Sequence, residues 1–175
     1  MTIRKFDIIA CMSDKDRGIG LNGLLPWSIK EDMAYFSRIT QATRNPRLRN
    51  AVIMGRKTFE SMNNKPLRGR LNICVSSTAC PGITNTVFFC RTLIDAIQLA
   101  SEHDSIENIF VIGGESIYRQ AIDHPMCDKL YINMVNGPGV PDCDTFFPEI
   151  STDVYELTDN FEVCPCVRGT CYRRK

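Results

Sequence analysis

Short, almost wholly apolar runs recur along this chain, and each is followed within two residues by glycine, serine or threonine. They cover residues 6–11, 51–54, 71–75, 87–90 and 109–112. A run of this length without polar alternation is typical of a strand that is buried on both faces, as in a parallel sheet. Parallel neighbours need a crossover connection, so helices are predicted between these runs.

Helical patterns do fill several of these connections. Thr92 is predicted to cap an amphipathic helix over residues 93–102, and other helices are predicted at 56–62 and 115–122. Beyond residue 122 only strands are predicted, at 129–135, 154–163 and 166–173. The order predicts one α/β domain over residues 1–175, with a central, mostly parallel, twisted eight-stranded sheet, an antiparallel C-terminal edge and about four flanking helices.

The composition limits the classes of function. With 175 residues, of which 43% are hydrophobic and 23% charged, the chain is expected to form one domain with a normal core. A net charge of +1 without a basic run argues against a nucleic-acid surface. No run reaches the ~18 apolar residues of a membrane helix, and no secretory signal is visible.

The chain has nine cysteines, which are expected to be reduced thiols in the cytoplasm. Cys11 and the other strand cysteines resemble small core hydrophobes. Cys164-Pro-Cys166 is too close-spaced for a zinc pair, and both histidines are distant in sequence. No metal site is therefore predicted.

Residues 20–40 pass from a glycine-rich loop through Leu25-Pro26-Trp27 into a helix. Ser28 with Glu31 matches a capping box, which predicts that the helix begins at Ser28. Asp32 falls within the apolar face of this helix. The residues that share the face are Ile29, Met33, Tyr35, Phe36 and Ile39. An acid there either complements the helix dipole or is a desolvated carboxylate that faces a cationic or proton-accepting ligand, and its place on the apolar face favours the second interpretation.

Three strand ends carry groups that suit anions. Gly55-Arg56-Lys57-Thr58 follows the 51–54 run and opens a helix, where an anion would offset cations that oppose the helix dipole. Ser76-Ser77 ends the next strand, and Gly113-Gly114 joins another strand to a helix, either for a ligand's approach or as a structural turn. Because the carboxyl ends of parallel strands share one edge, a phosphate-rich dinucleotide is predicted to lie there near Asp32.

Residues 18–23 also match the dinucleotide fingerprint G-x-G-x-x-G. A true fingerprint joins a strand directly to a helix. Here polar residues precede the glycines, and residues 24–27 separate them from the helix, so a glycine loop that covers a site is the better interpretation. An oxidoreductase built on this match is the weaker alternative.

Several motifs occur together and in a fixed order. They are Gly20 with Leu25-Pro26-Trp27, Asp32 with Phe36, Val52 to Thr58, Pro66-Leu67 with Gly69-Arg70, Val111 to Gly114 with Tyr118, and Asp144 to Pro148. With this set, the chain resembles the dihydrofolate reductase family over most of its length. The resemblance implies NADPH-dependent reduction of 7,8-dihydrofolate to 5,6,7,8-tetrahydrofolate, by hydride transfer to C6 and protonation at N5, for one-carbon metabolism and thymidylate synthesis. Antifolates such as protonated 2,4-diaminopyrimidines are implied as further ligands.

On the substrate side, the resemblance implies that Asp32 holds the pterin amino group and ring nitrogen, while a water near Leu25 and Trp27 delivers the proton. These three residues form the implied catalytic group. Arg70 would pair with the α-carboxylate of the glutamyl tail. The implied substrate-binding residues are Ile8, Asp32, Phe36, Met62, Leu67, Arg70, Ile112, Tyr118 and Asn133, with Ile8 and Ile112 acting through their carbonyls.

On the cofactor side, the resemblance implies that Arg56 and Ser76 receive the 2′-phosphate, which favours NADPH over NADH. Gly113-Gly114 would form a cis link. The implied cofactor-binding residues are Ala10, Ile19, Gly20, Gly55, Arg56, Lys57, Thr58, Ser76, Ser77, Gly113, Gly114, Glu115, Ser116, Ile117 and Tyr118.

Asn133 departs from the family pattern, which usually has a threonine that bridges the acid and the pterin amino group. An amide can also donate and accept. A pyrimidine-type reductase of the same fold would not need Trp27 and Asp32 at this spacing, and a silent nucleotide-binding module would be expected to have lost Asp32 or the glycine pair. A monomer is expected, alone or within a longer chain that continues into thymidylate synthase.

Overall fold

The structure is a computed structural model that describes residues 2–78 and 86–175. Its elements are β1 (Phe6–Ser13), β2 (Gly18–Gly20), α1 (Lys30–Gln41), β3 (Arg49–Gly55), α2 (Arg56–Ser61), β4 (Arg70–Val75), β5 (Val87–Cys90), α3 (Leu93–Glu102), β6 (Ile106–Val111), α4 (Glu115–Ile122), β7 (Cys127–Val135), β8 (Thr145–Phe146), β9 (Tyr155–Cys164) and β10 (Val167–Arg174). None of the helices in this described part combines the length and apolar character that crossing a membrane requires.

Eight of these strands form one sheet, in the order β5-β4-β3-β6-β1-β7-β10-β9. Neighbours from β5 to β7 pair in parallel, whereas β10 runs antiparallel to both β7 and β9. The predicted α/β fold class is confirmed. The antiparallel edge arises because the tail has no helix with which to cross over to a parallel position.

The two faces of the main sheet pack against different helices. Ala10 of β1 belongs to the buried cluster that includes α3 and α4. Ile9 belongs to a second cluster, which includes Tyr35 of α1 and Phe59 of α2 and is called here the α1-face cluster. Because successive side chains of a strand point to opposite faces, Cys11 lies on the same face as Ile9.

The carboxyl end of β1 is open on one side. Its pairing with β6 stops at Ile8 opposite Val111, while its pairing with β7 continues to Ser13 opposite Val135. After the end of β6, the chain continues to α4 through a cis peptide bond, Gly113-Gly114. The gap lies at the edge of the sheet where a ligand is predicted.

Residues 18–23 do not join a strand to a helix. Gly18–Gly20 forms β2, which pairs with β8 in a separate two-stranded sheet, and Leu21 bridges to Leu24. The prediction that the G-x-G-x-x-G match is not a dinucleotide fingerprint is confirmed. The small sheet escapes prediction because strands of two and three residues have no periodicity to detect.

The first long helix begins two residues later than its capping box predicts. α1 starts at Lys30 with Ile29 as its N-cap, and no side chain caps it. The predicted start at Ser28 is wrong. Ser28 precedes the N-cap, so its hydroxyl is not in position to accept from the first amides of the helix, as a capping box requires. The inward placement of Met33 is also wrong, since 53% of its surface is exposed, whereas Tyr35 is buried. Met33 lies at the edge of the apolar arc, beyond the part that the sheet covers.

Asp7 of β1 is a largely buried acid outside the predicted site. Burial raises the pKa of Asp7 from 3.8 to about 6, although the backbone N–H of Lys129 donates to its Oδ1 at 3.0 Å and opposes this effect. Between these pH values the folded state holds a proton that the unfolded state has lost. The free energy of unfolding therefore falls as the pH rises through this window.

We expect Asp7→Asn to raise the free energy of unfolding by up to about 3 kcal/mol above about pH 6, and to change it little below about pH 4. The amide keeps the oxygen that accepts from Lys129 and removes the buried charge. Chemical denaturation at several pH values measures the effect, with the exposed Asp153→Asn as the matched control. An equal gain at low and neutral pH would show that the buried charge is not its cause.

Candidate active site

Asp32 lies in the first turn of α1 and is only 5% exposed. The Nδ2 atom of Asn133 on β7 donates to Asp32 Oδ1 at 2.8 Å. Asn133 is itself 2% exposed, so both partners of this hydrogen bond are removed from bulk water. Asp32 is therefore buried, as its place on the apolar face of the helix predicts, and the ligand that it would face stays a prediction.

A thiol lies beside this pair. Cys11 is opposite Asn133 in the β1–β7 ladder, and its sulfur interacts with the Asp32 carboxylate and with the Trp27 indole. Desolvation, together with the charge of Asp32, raises the pKa of Cys11 far above its ordinary value, so the group is a neutral thiol. Sequence reasoning misses this residue, which resembles a core cysteine. Alternation counted from Ile9 is the signal that places it on the α1 face.

Three fully buried polar atoms on this side of the sheet form no hydrogen bond of ordinary geometry within the described residues. They are Ser13 Oγ, Trp27 Nε1 and Asn133 Oδ1. The Trp27 indole still contacts the Cys11 thiol, and this contact opposes the rise that burial causes in the pKa of Cys11. Buried polar atoms of this kind are commonly satisfied by ordered water, so the surroundings of Asp32 suit a small number of water molecules.

The surface beside Asp32 is apolar. Phe36, Met62, Leu67 and Ile112 are half-buried and pack against the α1-face cluster. The exposed side includes Leu25 at 49%, close in sequence to Trp27, and Met33 at 53%, next to Asp32. An apolar lining with a few buried polar groups is typical of a small-molecule site.

Tyr118 of α4 connects the open end of β1 to the glycine pair. Its hydroxyl donates to the carbonyl of Ile9 at 2.8 Å. Its ring lies so close to Gly113 that a Cβ there would be 3.3 Å from the hydroxyl oxygen, and Gly113 has a φ of 126°, which side chains disfavour. The carbonyl brought to Tyr118 is thus that of Ile9, whereas the ligand contact predicted for Ile8 stays a prediction.

Arg70 lies beneath the other end of α1. It is 8% exposed, and its guanidinium donates to Thr40 Oγ1 and to the carbonyl of Arg68, both at 2.9 Å. The Nη2 atom of Arg70 forms no side-chain hydrogen bond with the described residues. At about 1.5 Å per residue, Thr40 is about 12 Å further along the helix than Asp32. A ligand that contacts both Asp32 and Arg70 must therefore extend along α1.

The starts of α2 and α4 meet at the carboxyl edge of the sheet. The Gly55 N–H donates to the carbonyl of Gly113 at 2.8 Å, and a Cβ on Gly114 would lie 3.4 Å from Thr58 Oγ1. No side chain caps either helix start. The first N–H groups of both helices are therefore available to phosphate oxygens, as the predicted cofactor site requires.

Thr78 connects the two residues that are predicted to receive a 2′-phosphate. Arg56 Nη1 donates to Thr78 Oγ1 at 2.6 Å, and Ser76 Oγ donates to the Thr78 carbonyl at 3.0 Å. Arg56 also forms an ion pair with Glu60 at 2.7 Å. The structure thus brings Arg56 and Ser76 to one place beyond β4.

The rest of the predicted cofactor set is less closely grouped. The side chain of Ala10 lies in the cluster on the opposite face from Asp32, and Glu115 forms an ion pair with Arg119 at 3.1 Å. The remaining members include the exposed Lys57, Ser77 and Ser116, the half-buried Ile19, and the buried Gly20 and Ile117. Their cofactor contacts stay predictions.

No group of three or more His, Cys, Asp or Glu side chains in the described ranges could hold a metal ion. The cysteines described there are free thiols.

Comparison with known proteins agrees with this arrangement. Residues 5–164 match the model of a family described as dihydrofolate reductase. The chain is 37% identical to a dihydrofolate reductase of Drosophila melanogaster over 162 residues, and 38% identical to one of Heliothis virescens over 164 residues; each alignment covers 91% of this chain and 87% of the relative. A bifunctional dihydrofolate reductase-thymidylate synthase 2 of Arabidopsis thaliana is 37% identical over 89% of this chain but only 29% of its own length. A buried acid at the head of α1, an uncapped pair of helix starts at the carboxyl edge and these matches lead to one conclusion: this chain belongs to the dihydrofolate reductase family.

Proposed function

We propose that this chain catalyses the NADPH-dependent reduction of 7,8-dihydrofolate to 5,6,7,8-tetrahydrofolate, and so serves one-carbon metabolism and thymidylate synthesis. The observation that carries the proposal is the Asp32 carboxylate, 5% exposed and held by Asn133 beside an apolar surface. A buried acid of this kind binds a ring that offers two adjacent N–H groups.

Asp32 orients the pterin ring. Asn133 donates to Oδ1 and the Cys11 thiol also contacts the carboxylate, and the remaining acceptor positions are left to the amino group and ring nitrogen of the substrate. The carbonyls of Ile8 on β1 and of Ile112, just after β6, would accept from the pterin amino group, whereas the Ile9 carbonyl already accepts from Tyr118. Fixing the ring in this way turns binding energy into orientation.

The proton reaches N5 from water, not from the carboxylate directly. Trp27 Nε1 is buried and forms no hydrogen bond of ordinary geometry with any described residue, so it suits a water that also contacts the substrate. Leu25 closes over the ring and limits further entry of solvent, which strengthens the field of Asp32. When bound, NADPH supplies the hydride that reduces C6.

The chain's anion-binding edge suits NADPH. Uncapped N–H groups at the starts of α2 and α4 would hold the pyrophosphate, and Arg56 with Ser76 would hold the 2′-phosphate. The direct test is to follow loss of the reduced nicotinamide's absorbance with dihydrofolate, first with NADPH and then with NADH. Absence of turnover with both cofactors would overturn the proposed function.

Arg56→Ala is expected to raise KM for NADPH by about 10- to 100-fold and to change KM for NADH little, because only NADPH carries the phosphate that the guanidinium contacts. Initial-rate kinetics with each cofactor measure this difference. Arg173→Ala on the exposed part of β10 is the matched control. Equal losses with both cofactors would assign Arg56 to the structure of the α2 start instead.

We also propose that the protein acts as a monomer in the cytoplasm. The free thiols of the described cysteines support a reducing compartment. Two plant relatives named as bifunctional dihydrofolate reductase-thymidylate synthases match this chain over about a third of their own length, which supports the occurrence of such a domain within a longer chain. Light scattering of the purified chain tests the monomer.

A further inference from the structure

The tip of the β9–β10 hairpin carries two cysteines that the proposed function does not use. Cys164 is the last residue of β9, and Pro165 and Cys166 form the turn before Val167 begins β10. The Sγ atoms of Cys164 and Cys166 are 3.6 Å apart, and both residues are partly exposed. Two thiols in contact at an accessible turn can react with the same partner.

The backbone holds these thiols close together. Val167 pairs with Cys164 across the hairpin, and Asn136 N–H at the end of β7 donates to the Cys166 carbonyl at 3.0 Å. Pro165 has a fixed φ, which reduces the freedom of the turn. A disulfide needs a sulfur separation of about 2.05 Å. The two sulfur atoms would therefore have to approach each other by about 1.6 Å, through rotation of their side chains, to form the bond.

The environment of Cys166 favours its protonated form. A hydrogen bond with the Cys164 sulfur raises the pKa of Cys166, with a smaller contribution from desolvation. The fraction of thiolate at neutral pH is therefore small, which protects the sulfur from uncontrolled oxidation. Cys74 and Cys127, by contrast, are buried in the sheet and inaccessible to a reagent in solution.

We propose that Cys164 and Cys166 form a reversible dithiol–disulfide site whose oxidant is a small disulfide of the glutathione class. The thiolate of one cysteine attacks the disulfide RS–SR, which forms a protein–SR mixed disulfide and releases one RS⁻. The second cysteine then attacks the protein sulfur of that mixed disulfide and releases the second RS⁻. Two protein thiols lose two electrons and two protons, and the oxidant is recovered as two RSH molecules. The exchange uses no group that the proposed reaction at Asp32 requires, although Cys166 lies near enough to act electrostatically on Cys11.

Oxidised glutathione tests the proposal on the folded protein. After incubation, free thiols are alkylated and peptides are identified by mass spectrometry. The expected product is a Cys164–Cys166 disulfide, two hydrogen atoms lighter than the dithiol, which dithiothreitol reverses. Cys164→Ser and Cys166→Ser are each expected to stop at the mixed disulfide with glutathione, while the control Cys90→Ser behaves like the unaltered chain.

Two results of this experiment would overturn the proposal. One is a wild-type chain in which either cysteine remains a free thiol, and is therefore alkylated, or stops at the mixed disulfide. The other is a disulfide that joins Cys164 or Cys166 to a different cysteine. Circular dichroism before and after oxidation identifies any sample that has unfolded, so that only exchange within the native hairpin is counted.

Phenylarsine oxide gives a second readout that involves no oxidation. One arsenic forms bonds to both sulfur atoms and its oxygen leaves as water with the two thiol protons. Capture by the wild-type chain is expected to be at least about tenfold tighter than by either single serine variant, because one ring replaces two separate attachments. Equal capture by wild type and both variants would show that the two thiols do not act together.

Discussion

Asp32→Asn is expected to lower turnover at neutral pH by about two to four orders of magnitude. The substitution keeps the size of the side chain and an oxygen that can accept from Asn133, so the fold should be preserved. It removes the negative charge that would support protonation of the bound ring. Steady-state rates of dihydrofolate reduction from acid to neutral pH measure the loss.

The pH dependence separates this role from a structural one. At low pH a substrate that is already protonated no longer needs the acid, so the rate of Asp32→Asn should recover in part as the pH falls. Glu31→Gln, an exposed neighbour in the same helical turn, is the matched control and should keep full activity. Wild-type turnover in Asp32→Asn at neutral pH would remove the acid from the mechanism.

Much of the fold follows from local chemistry. α3 begins at Leu93 because the Thr92 hydroxyl accepts from the Asp95 N–H at 3.1 Å, as its sequence predicts. α4 has the predicted bounds because a glycine pair interrupts the chain immediately before Glu115. Continuous apolar runs identify the buried strands, because both faces of a strand are apolar only where both faces of the sheet are covered.

Prediction from local sequence fails where contacts between distant segments determine the structure. Ser28 and Glu31 form a capping box in sequence, but α1 takes Ile29 as its N-cap and begins at Lys30. The pairing of β2 with β8 joins segments more than a hundred residues apart, and no periodic pattern reports such a contact.

The candidate site is predictable to the extent that strand ends define it. Gly55 and Gly113 meet because parallel strands end at the same edge, which the alternation of elements already implies. The contact between Cys11 and Asp32 depends on the register of β1 against β7, and a shift of one residue would turn that thiol to the other face. Alternation along β1 can give the face on which Cys11 lies, but register is a tertiary property, so its place opposite Asn133 is found only in the structure.

Arg70→Leu is expected to weaken binding of dihydrofolate by about 2–5 kcal/mol, provided that the guanidinium forms a buried pair with the α-carboxylate of the glutamyl tail. Arg70 is 8% exposed, and Thr40 and Arg68 hold it in place, so it is preorganised for a carboxylate. Equilibrium titration with dihydrofolate measures the change. Arg68→Leu, which removes an exposed neighbouring cation, is the matched control.

A 2,4-diaminopyrimidine without a carboxylate distinguishes the two roles that Arg70 could have. This ligand needs Asp32 but has nothing to offer a guanidinium some 12 Å further along α1, so its affinity for Arg70→Leu should be unchanged. Arg70→Lys should recover only part of the dihydrofolate affinity, because an ammonium lacks the two parallel donors of the planar fork. If both ligands lost affinity equally, Arg70 would act by supporting α1 through Thr40. Wild-type affinity for dihydrofolate would instead require another cation to hold the tail.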